Sequence, residues 1–361
     1  MRKQTKLVAV LSAAALLAMG ASMTSFAAGW QKDDAGVWHY YDSDDEMVTG
    51  EWKKDGGKWF YLDDDGNMLT DSWVDDDYYV AEDGHMLTNE WKKTVSDDDQ
   101  DDPDEDGESW YYFGSKGKKT TSDDKKINGK TYFFDEDGKM QYGWYADSNN
   151  NVYYLGEEDD GARTNSSWLW LAAPDSEDDD EKDAADAVSH DSQNDDDPCD
   201  EEGWYWFGSD GKMYKDAKQK KINGKYYYFN NHGQMLYEWI NGVKANVASN
   251  AKLDSDSIEA TASEVRYMNV VEEGWRADGW YQIDGAWYFM NADGSLKQNE
   301  SFLYDNNLYF VNKSGKMYQN QWLKWDGNYY YLRSWGGAAH EGWLLLQNKY
   351  YYINEDCTRK T

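Results

Sequence analysis

The chain has 361 residues with 70 acidic against 36 basic side chains, a formal net charge of -34, and 20 Trp, 30 Tyr and 10 Phe beside only 3 Pro and 2 Cys. A mean hydropathy of -1.00 leaves too few aliphatic side chains for large conventional cores, yet the ring content excludes the disorder usual in acidic, hydrophilic chains. The charge also excludes nucleic acid, whose phosphates need cationic partners.

Residues 1–27 read as a secretory signal. Arg2, Lys3 and Lys6 precede an apolar run, Leu7 to Met19, and Ser25-Phe26-Ala27 offers small residues for cleavage after Ala27. The run is shorter than the roughly 20 residues of a membrane span, so no membrane insertion is expected once the signal is cleaved. No Cys follows it, and the stretch Glu355 to Thr361 has neither an apolar tail nor a sorting motif. The expectation is export, with any hold on a surface being non-covalent. Cys199 and Cys357 have no framework spacing and read as incidental thiols, with one long-range disulfide as the alternative.

From Gly29 onward the chain repeats. GKWFYLDDDGNMLTDSW (57–73) returns as GKTYFFDEDGKMQYGW (129–144), GKYYYFNNHGQMLYEW (224–239), GAWYFMNADGSLKQN (285–299) and NLYFVNKSGKMYQNQW (307–322). Alignment on the aromatic triplet gives twelve registers, starting at Trp38, Trp59, Asp77, Trp110, Thr131, Val152, Trp204, Tyr226, Trp287, Leu308, Tyr329 and Tyr350, most of them about 21 residues apart. The aromatic run favours a strand, and Asp-x-x-Gly or Asp-Gly reads as a hairpin turn. Gly66, Gly84, Gly138, Gly211, Gly233, Gly294 and Gly315 fill its glycine position. One hairpin is not stable alone in water; stacking a series buries the rings between neighbours. The expected fold is therefore all-β, a solenoid of about twelve stacked β-hairpins interrupted by acidic insertions.

The expected organisation is signal 1–27, hairpin repeats 28–155 with a short acidic insertion at 92–109, and an acidic low-complexity insertion at 156–203. Hairpin repeats follow at 204–239, then an insertion of unreadable role at 240–279, then repeats at 280–361. The insertion at 156–203 is expected to be disordered or loosely packed. Ahead of the triplets stand Trp30, Trp52, Trp73, Trp91, Trp144, Trp280, Trp322 and Trp343, or else the aliphatic Ile127, Ile222 and Leu303. Junctions with a Trp thus look ring-rich, and those with an aliphatic residue look like plain packing.

Rings around a space lined with Met and set among carboxylates suit a quaternary ammonium, at about 0.5–2 kcal/mol per ring. The same rings stack equally well on sugar faces, and composition does not separate the two. Trp52-Lys53-Lys54-Asp55-Gly56-Gly57-Lys58-Trp59-Phe60-Tyr61-Leu62, followed by Gly66, Met68 and Thr70, resembles the choline-binding and glucan-binding cell-wall repeats of Gram-positive surface proteins. KKINGKTYFFDEDGKM and KKINGKYYYFNNHGQM are similar to that family's second repeat type. The resemblance implies a site between consecutive hairpins, made of two Trp from one, an aromatic from the next and often a Met. Carried onto this sequence, it implies Trp30, Trp38, Tyr61 and Met68 for a first site and Trp52, Trp59, Tyr79 and Met86 for a second. Trp280, Trp287, Phe310 and Met317 make a third, and Trp322, Tyr329 and Tyr352 a fourth. Asp77, Thr131 and Val152 replace the opening ring, so their junctions are not expected to bind.

Other chemistry is not indicated. Asp102 to Gly107 imitates the start of a calcium loop, but its twelfth position is Phe113 where a bidentate Glu is needed. His39, His85, His190, His232 and His340 lack metal-ligand spacing, and neither a catalytic constellation nor a cofactor motif is present. The sequence thus reads as a secreted, non-catalytic protein, without metal or cofactor, held to the cell wall by choline on teichoic acid. Alternatives are a neutral polysaccharide bound by the same repeats, or a host protein bound by a rod of hairpins.

Overall fold

The computed structural model describes residues 29–97, 107–122, 124–193, 199–241, 258 and 264–360; the leader expected at 1–27 lies outside them. The described residues are nearly all β, with a seven-residue helix, α1 (Lys182–Val188). Contacts divide the chain into one compact unit ending at Thr120 and another beginning at Thr121.

The first unit holds four antiparallel hairpins. They are β1 (Gly29–Lys32) with β2 (Trp38–Tyr41), β3 (Glu51–Asp55) with β4 (Lys58–Leu62), β5 (Ser72–Val74) with β6 (Tyr78–Val80), and β7 (Glu90–Thr94) with β8 (Ser109–Phe113). The second unit holds nine. Its first four pair β9 (Asp124–Ile127) with β10 (Lys130–Phe133), β11 (Trp144–Ala146) with β12 (Val152–Tyr154), β13 (Ser167–Ala172) with β14 (Glu202–Phe207), and β15 (Ala217–Ile222) with β16 (Lys225–Phe229). Then come β17 (Trp239–Asn241) with β18 (Val265–Tyr267), β19 (Gly279–Ile283) with β20 (Ala286–Met290), and β21 (Glu300–Tyr304) with β22 (Asn307–Val311). The last two pair β23 (Gln321–Trp325) with β24 (Asn328–Leu332), and β25 (Gly342–Leu346) with β26 (Lys349–Ile353).

Two kinds of turn build each repeat. The strands of a hairpin meet at a two-residue tip with both φ values positive, such as Gly56-Gly57 (53° and 87°) or Asn128-Gly129 (49° and 88°). These are the angles of the tip that matches strand twist, and Gly or Asn adopts them at least cost. The Asp-x-x-Gly turn, expected at the hairpin tip, instead follows the second strand. Asp63 carboxylate oxygen Oδ1 accepts from the backbone N–H of Asp65 at 3.0 Å and of Asn67 at 2.7 Å, an Asx arrangement that explains the acid there.

That second turn carries the link to the preceding hairpin. Two residues past its glycine, the Met68 N–H donates to the Trp38 carbonyl at 2.8 Å. Equivalent bonds run from Met86 to Trp59, Lys119 to Asp77, Arg163 to Thr131, Met213 to Val152 and Met235 to Trp204. Arg276 to Tyr226, Leu296 to Val265, Met317 to Trp287, Ala338 to Leu308 and Arg359 to Tyr329 complete the series. Each contributes about 0.5–1.5 kcal/mol, and each fixes the rings of one hairpin against those of the next. The side chain at this position packs under the following turn glycine. A Cβ on Gly274 would lie 2.1 Å from Met235 Cε, so that turn needs glycine for space as well as for φ.

The structure corrects the insertions. Among the described residues there are thirteen hairpins rather than about twelve, because the stretch at 240–279 supplies β18, whose Val265, Arg266 and Tyr267 pair with Asn241, Ile240 and Trp239. Its triplet contains one ring, too few to register as a repeat. The stretch at 156–203 is also not loose throughout. It contributes β13, paired along its length with β14, and α1, whose Ala184 and Val188 are buried with Trp144, Val152 and Tyr205. All three insertions leave the chain between the two strands of one hairpin, after Thr94, Ala172 and Asn241. Length added at a tip leaves the ladder and the link bond intact. No disulfide joins Cys199 to Cys357, and no described helix is long and apolar enough to cross a membrane.

Candidate functional site

Strand alternation sets the cage geometry. Trp30 on β1 lies opposite Tyr40 on β2, its ring edge-on at 5.2 Å, and it meets Phe60 of the next hairpin at 5.1 Å. The next repeat repeats the pattern: Trp52 meets its own partner Tyr61 at 5.2 Å and Tyr78 of the following hairpin at 5.5 Å. The ring reaching back is therefore the second of each triplet.

The residues carried over from the resemblance named the third. In a strand that one-residue difference points the side chain to the other face. Phe60, rather than Tyr61, faces Trp30, and Tyr78, rather than Tyr79, faces Trp52. Tyr79 is buried against Trp73 at 5.4 Å and donates its hydroxyl to Asp71 at 3.0 Å. Trp280 meets Tyr309 at 4.8 Å, whereas Phe310 is buried between Trp325 and Tyr330. Trp322 meets Tyr351 at 5.0 Å, and Tyr352 belongs to Trp343 at 5.3 Å. Of the other residues in those sets, the Met68, Met86 and Met317 amides bond to the Trp38, Trp59 and Trp287 carbonyls.

The aliphatic alternation is corrected by register. Ile127 opposes Lys130, Ile222 opposes Lys225 and Leu303 opposes Leu308, nearer the tip than Trp30, Trp52 or Trp280 on the first strands of their hairpins. The position equivalent to Trp30, opposite the third triplet residue, is Asp124 in β9 and Ser301 in β21, and in β15 it falls in a bulge between Ala217 and Lys220.

One ring-lined cavity uses residues that sequence reading missed. Trp168 on β13, Trp204 on β14, Tyr227 on β16, Met235, Trp275, Glu272 and Glu273 line a cavity of about 230 Å³. Trp168 lies 4.9 Å from Tyr227, 5.2 Å from Trp206 and 5.6 Å from Phe229, nearly parallel to the last. The Met235 amide bonds to the Trp204 carbonyl at 2.8 Å, matching Met68 and Trp38. Burial, with Glu273 nearby, pushes the Tyr227 hydroxyl above its ordinary pKa, so the wall it provides stays a neutral phenol at neutral pH. The Lys225 ammonium lies 2.8 Å from the Trp275 ring centroid. The site escaped detection because the insertion separates Trp168 from Trp204 in the chain. The available signal was the alternation Ser167-Trp168-Leu169-Trp170 after Thr164, similar to Thr70-Asp71-Ser72-Trp73.

The volume is below the roughly 300–1,000 Å³ of drug-sized pockets. It suits a small headgroup, with rings on several sides and carboxylates at the rim. A comparable ring set stands at β19–β22: Trp280, Trp287 and Tyr309, with Trp335 6.0 Å from Tyr309. Among the described residues no cluster of three or more His, Cys, Asp or Glu has metal-holding geometry.

Hairpins joined one to the next, with aromatic cages between them, define a repeat protein of the cell-wall-binding class. The chain belongs to the choline-binding repeat family: two choline-binding repeat profiles match residues 121–168 and 46–85, and a cell wall binding repeat profile matches 28–44, 105–119, 199–213, 220–235, 278–296 and 320–338. Together these cover more than half of the sequence. No curated protein matches the chain. Among solved structures it is similar to choline binding protein F from Streptococcus pneumoniae, at 21% identity over 94% of this chain and 100% of that one, with a TM-score of 0.45. CbpJ from the same species gives 18% identity, 92% and 100% coverage and a TM-score of 0.48. The modular autolysin LytC of S. pneumoniae gives 20% identity and a TM-score of 0.36, with 93% of this chain matching 53% of the autolysin. The chain thus spans about half of that enzyme's length.

Proposed function

We propose that this chain is a secreted, non-catalytic protein that attaches to the cell wall by holding choline on teichoic acids in its aromatic cages. The observation that carries this reading is the cavity between Trp168, Trp204, Tyr227, Met235 and Trp275, rimmed by Glu272 and Glu273. A quaternary ammonium has no N–H to donate, so it loses less than a primary ammonium on leaving water for ring faces. Carboxylates at the rim add long-range attraction without being buried themselves. With about 1 kcal/mol from each of three or four rings, one cage holds choline in the millimolar range. Several cages on one chain multiply that on a polymer carrying many cholines, since later contacts form at high effective concentration. The domain limits expected from sequence enter this reading with one change: the stretches at 156–203 and 240–279 belong to wall-binding hairpins as well as to their tips.

Retention of the full chain on an immobilised choline matrix tests the reading. Elution by free choline at high salt is expected, and neutral dextran should leave the protein bound. Because the chain is so acidic, elution by salt alone would mean ion exchange and would overturn the proposal, while release by dextran would favour a glucan as the ligand.

A further inference from the structure

The link position, two residues past each turn glycine and, in the last repeat, two past Cys357 at φ 65°, differs chemically between junctions. At the junctions after β1–β2, β3–β4, β11–β12, β13–β14 and β19–β20 it is Met68, Met86, Met213, Met235 and Met317, and at the Met213 junction α1 covers the rings from outside. At four others it is a cation that lies over the rings of the preceding hairpin or of its own. Lys119 Nζ stands 5.4 Å from the Trp73 centroid and pairs with Asp76. Arg163 lies 6.0 Å over Tyr153, and Arg276 lies 4.5 Å over Tyr226. Arg359 lies 4.8 Å over Tyr329 and 5.6 Å over Trp322.

The last of these is decisive, because its ring set is otherwise complete. Trp322 and Tyr329 come from one hairpin and Tyr351 from the next, with Trp322 and Tyr351 5.0 Å apart. Trp30 and Phe60 make the same pair at 5.1 Å across a methionine junction. Tyr329 stands for Trp38 and Tyr351 for Phe60, both still rings, and Arg359 stands in place of Met68. Lysines at hairpin tips also lie over rings: Lys32 on Trp38, Lys54 on Trp59, Lys221 on Tyr226 and Lys324 on Tyr329. Those four are exposed and occur at both kinds of junction, whereas the four link-position cations are half-buried.

We infer that the residue at the link position selects which cages accept a ligand: methionine leaves the ring faces open, while lysine or arginine occupies them with the chain's own cation. A guanidinium or ammonium held covalently against the rings competes with a quaternary ammonium for the same faces and acts at an effective concentration that a millimolar ligand cannot match. Arg359 thereby closes a junction that its aromatic residues would otherwise make a binding site.

The inference rests on the choline-binding reading, and the test separates the two. Equilibrium dialysis of the full chain against radiolabelled choline at high salt gives the number of sites. Arg359→Met should add one site per chain, and Arg359→Lys should leave the number as in the wild type. Met317→Arg should remove one site, which keeps the test valid should Arg359→Met fail to fold, as far-UV circular dichroism would report. If the wild type binds choline but Arg359→Met and Met317→Arg leave the count unchanged, the selector role is overturned while the proposed function stands. If the wild type binds no choline, both are overturned.

Discussion

Two neighbouring junctions in the second unit use the same ring pair for opposite ends. Trp144 meets Tyr205 at 4.9 Å, and one repeat later Trp168 meets Tyr227 at 4.9 Å. In both, a methionine amide links to the preceding hairpin, Met213 in the first and Met235 in the second. Yet Trp144 is 3% exposed and Tyr205 fully buried, while the second pair lines an open cavity. The difference lies in what completes the ring. At the first junction the triplet opens with Val152, and α1 lays Ala184 and Val188 onto the pair. The second has Trp204 and Trp275 instead, with Glu272 and Glu273 at the rim. At both junctions the Trp–Tyr pair packs one hairpin on the next; under the proposed function, a further ring and an uncovered face turn it into a site.

Substitutions can break that contrast. Trp144→Ala should destabilise the protein most, by about 3–5 kcal/mol as for other buried aromatic-to-Ala changes, read as a lower denaturation midpoint in urea with an unchanged number of choline sites in the folded protein. Val188→Asp places an unpartnered charge in the same cluster, at a cost of several kcal/mol to the helix contact. It should free α1 from β11 and make Trp144 accessible to acrylamide quenching. Trp204→Ala acts on the other junction. It should remove one wall of the cavity and weaken choline there by about 0.5–2 kcal/mol, roughly 2- to 30-fold, in a calorimetric titration, with less loss of stability than Trp144→Ala.

Smaller effects sharpen the account. Replacing both Glu272 and Glu273 by Gln should weaken choline by a few-fold at low salt, and the difference should shrink as salt is raised, because both side chains are exposed. Choline is permanently charged, and burial holds the Tyr227 hydroxyl above its ordinary pKa, as it does that of Tyr309. The phenols are therefore neutral below about pH 9, and affinity should be flat from about pH 6 to 9. A midpoint within that range would assign binding to a titrating group rather than to rings.

Much of this architecture is legible in the residues. The aromatic triplet and the Asp-x-x-Gly turn are local signals, each tied to a strand or to a φ above zero, and they locate twelve of the thirteen hairpins among the described residues. Cage composition is less so, since it depends on which alternate residue of a triplet faces backward. Counting from the triplet's first ring does not fix that face; the cross-strand register of Trp30 with Tyr40 and Trp52 with Tyr61 does. The cage at Trp168 was hidden for a different reason. A tip insertion costs the hairpin little, so Trp168 and Trp204 of one site can stand 36 positions apart in the chain while the ladder holds their strands together. Arg359 was passed over because an arginine after a turn is ordinary in sequence, and only its place over Trp322 and Tyr329 gives it meaning.

The most direct test of the central claim is a choline titration followed by tryptophan fluorescence at high salt, comparing the wild type with Trp168→Ala/Trp204→Ala. The account predicts a saturable change in the wild type with a midpoint in the millimolar range, and a smaller amplitude in the double variant while the remaining cages still respond. A wild-type signal that never saturates, or one of equal amplitude in the double variant, would contradict it.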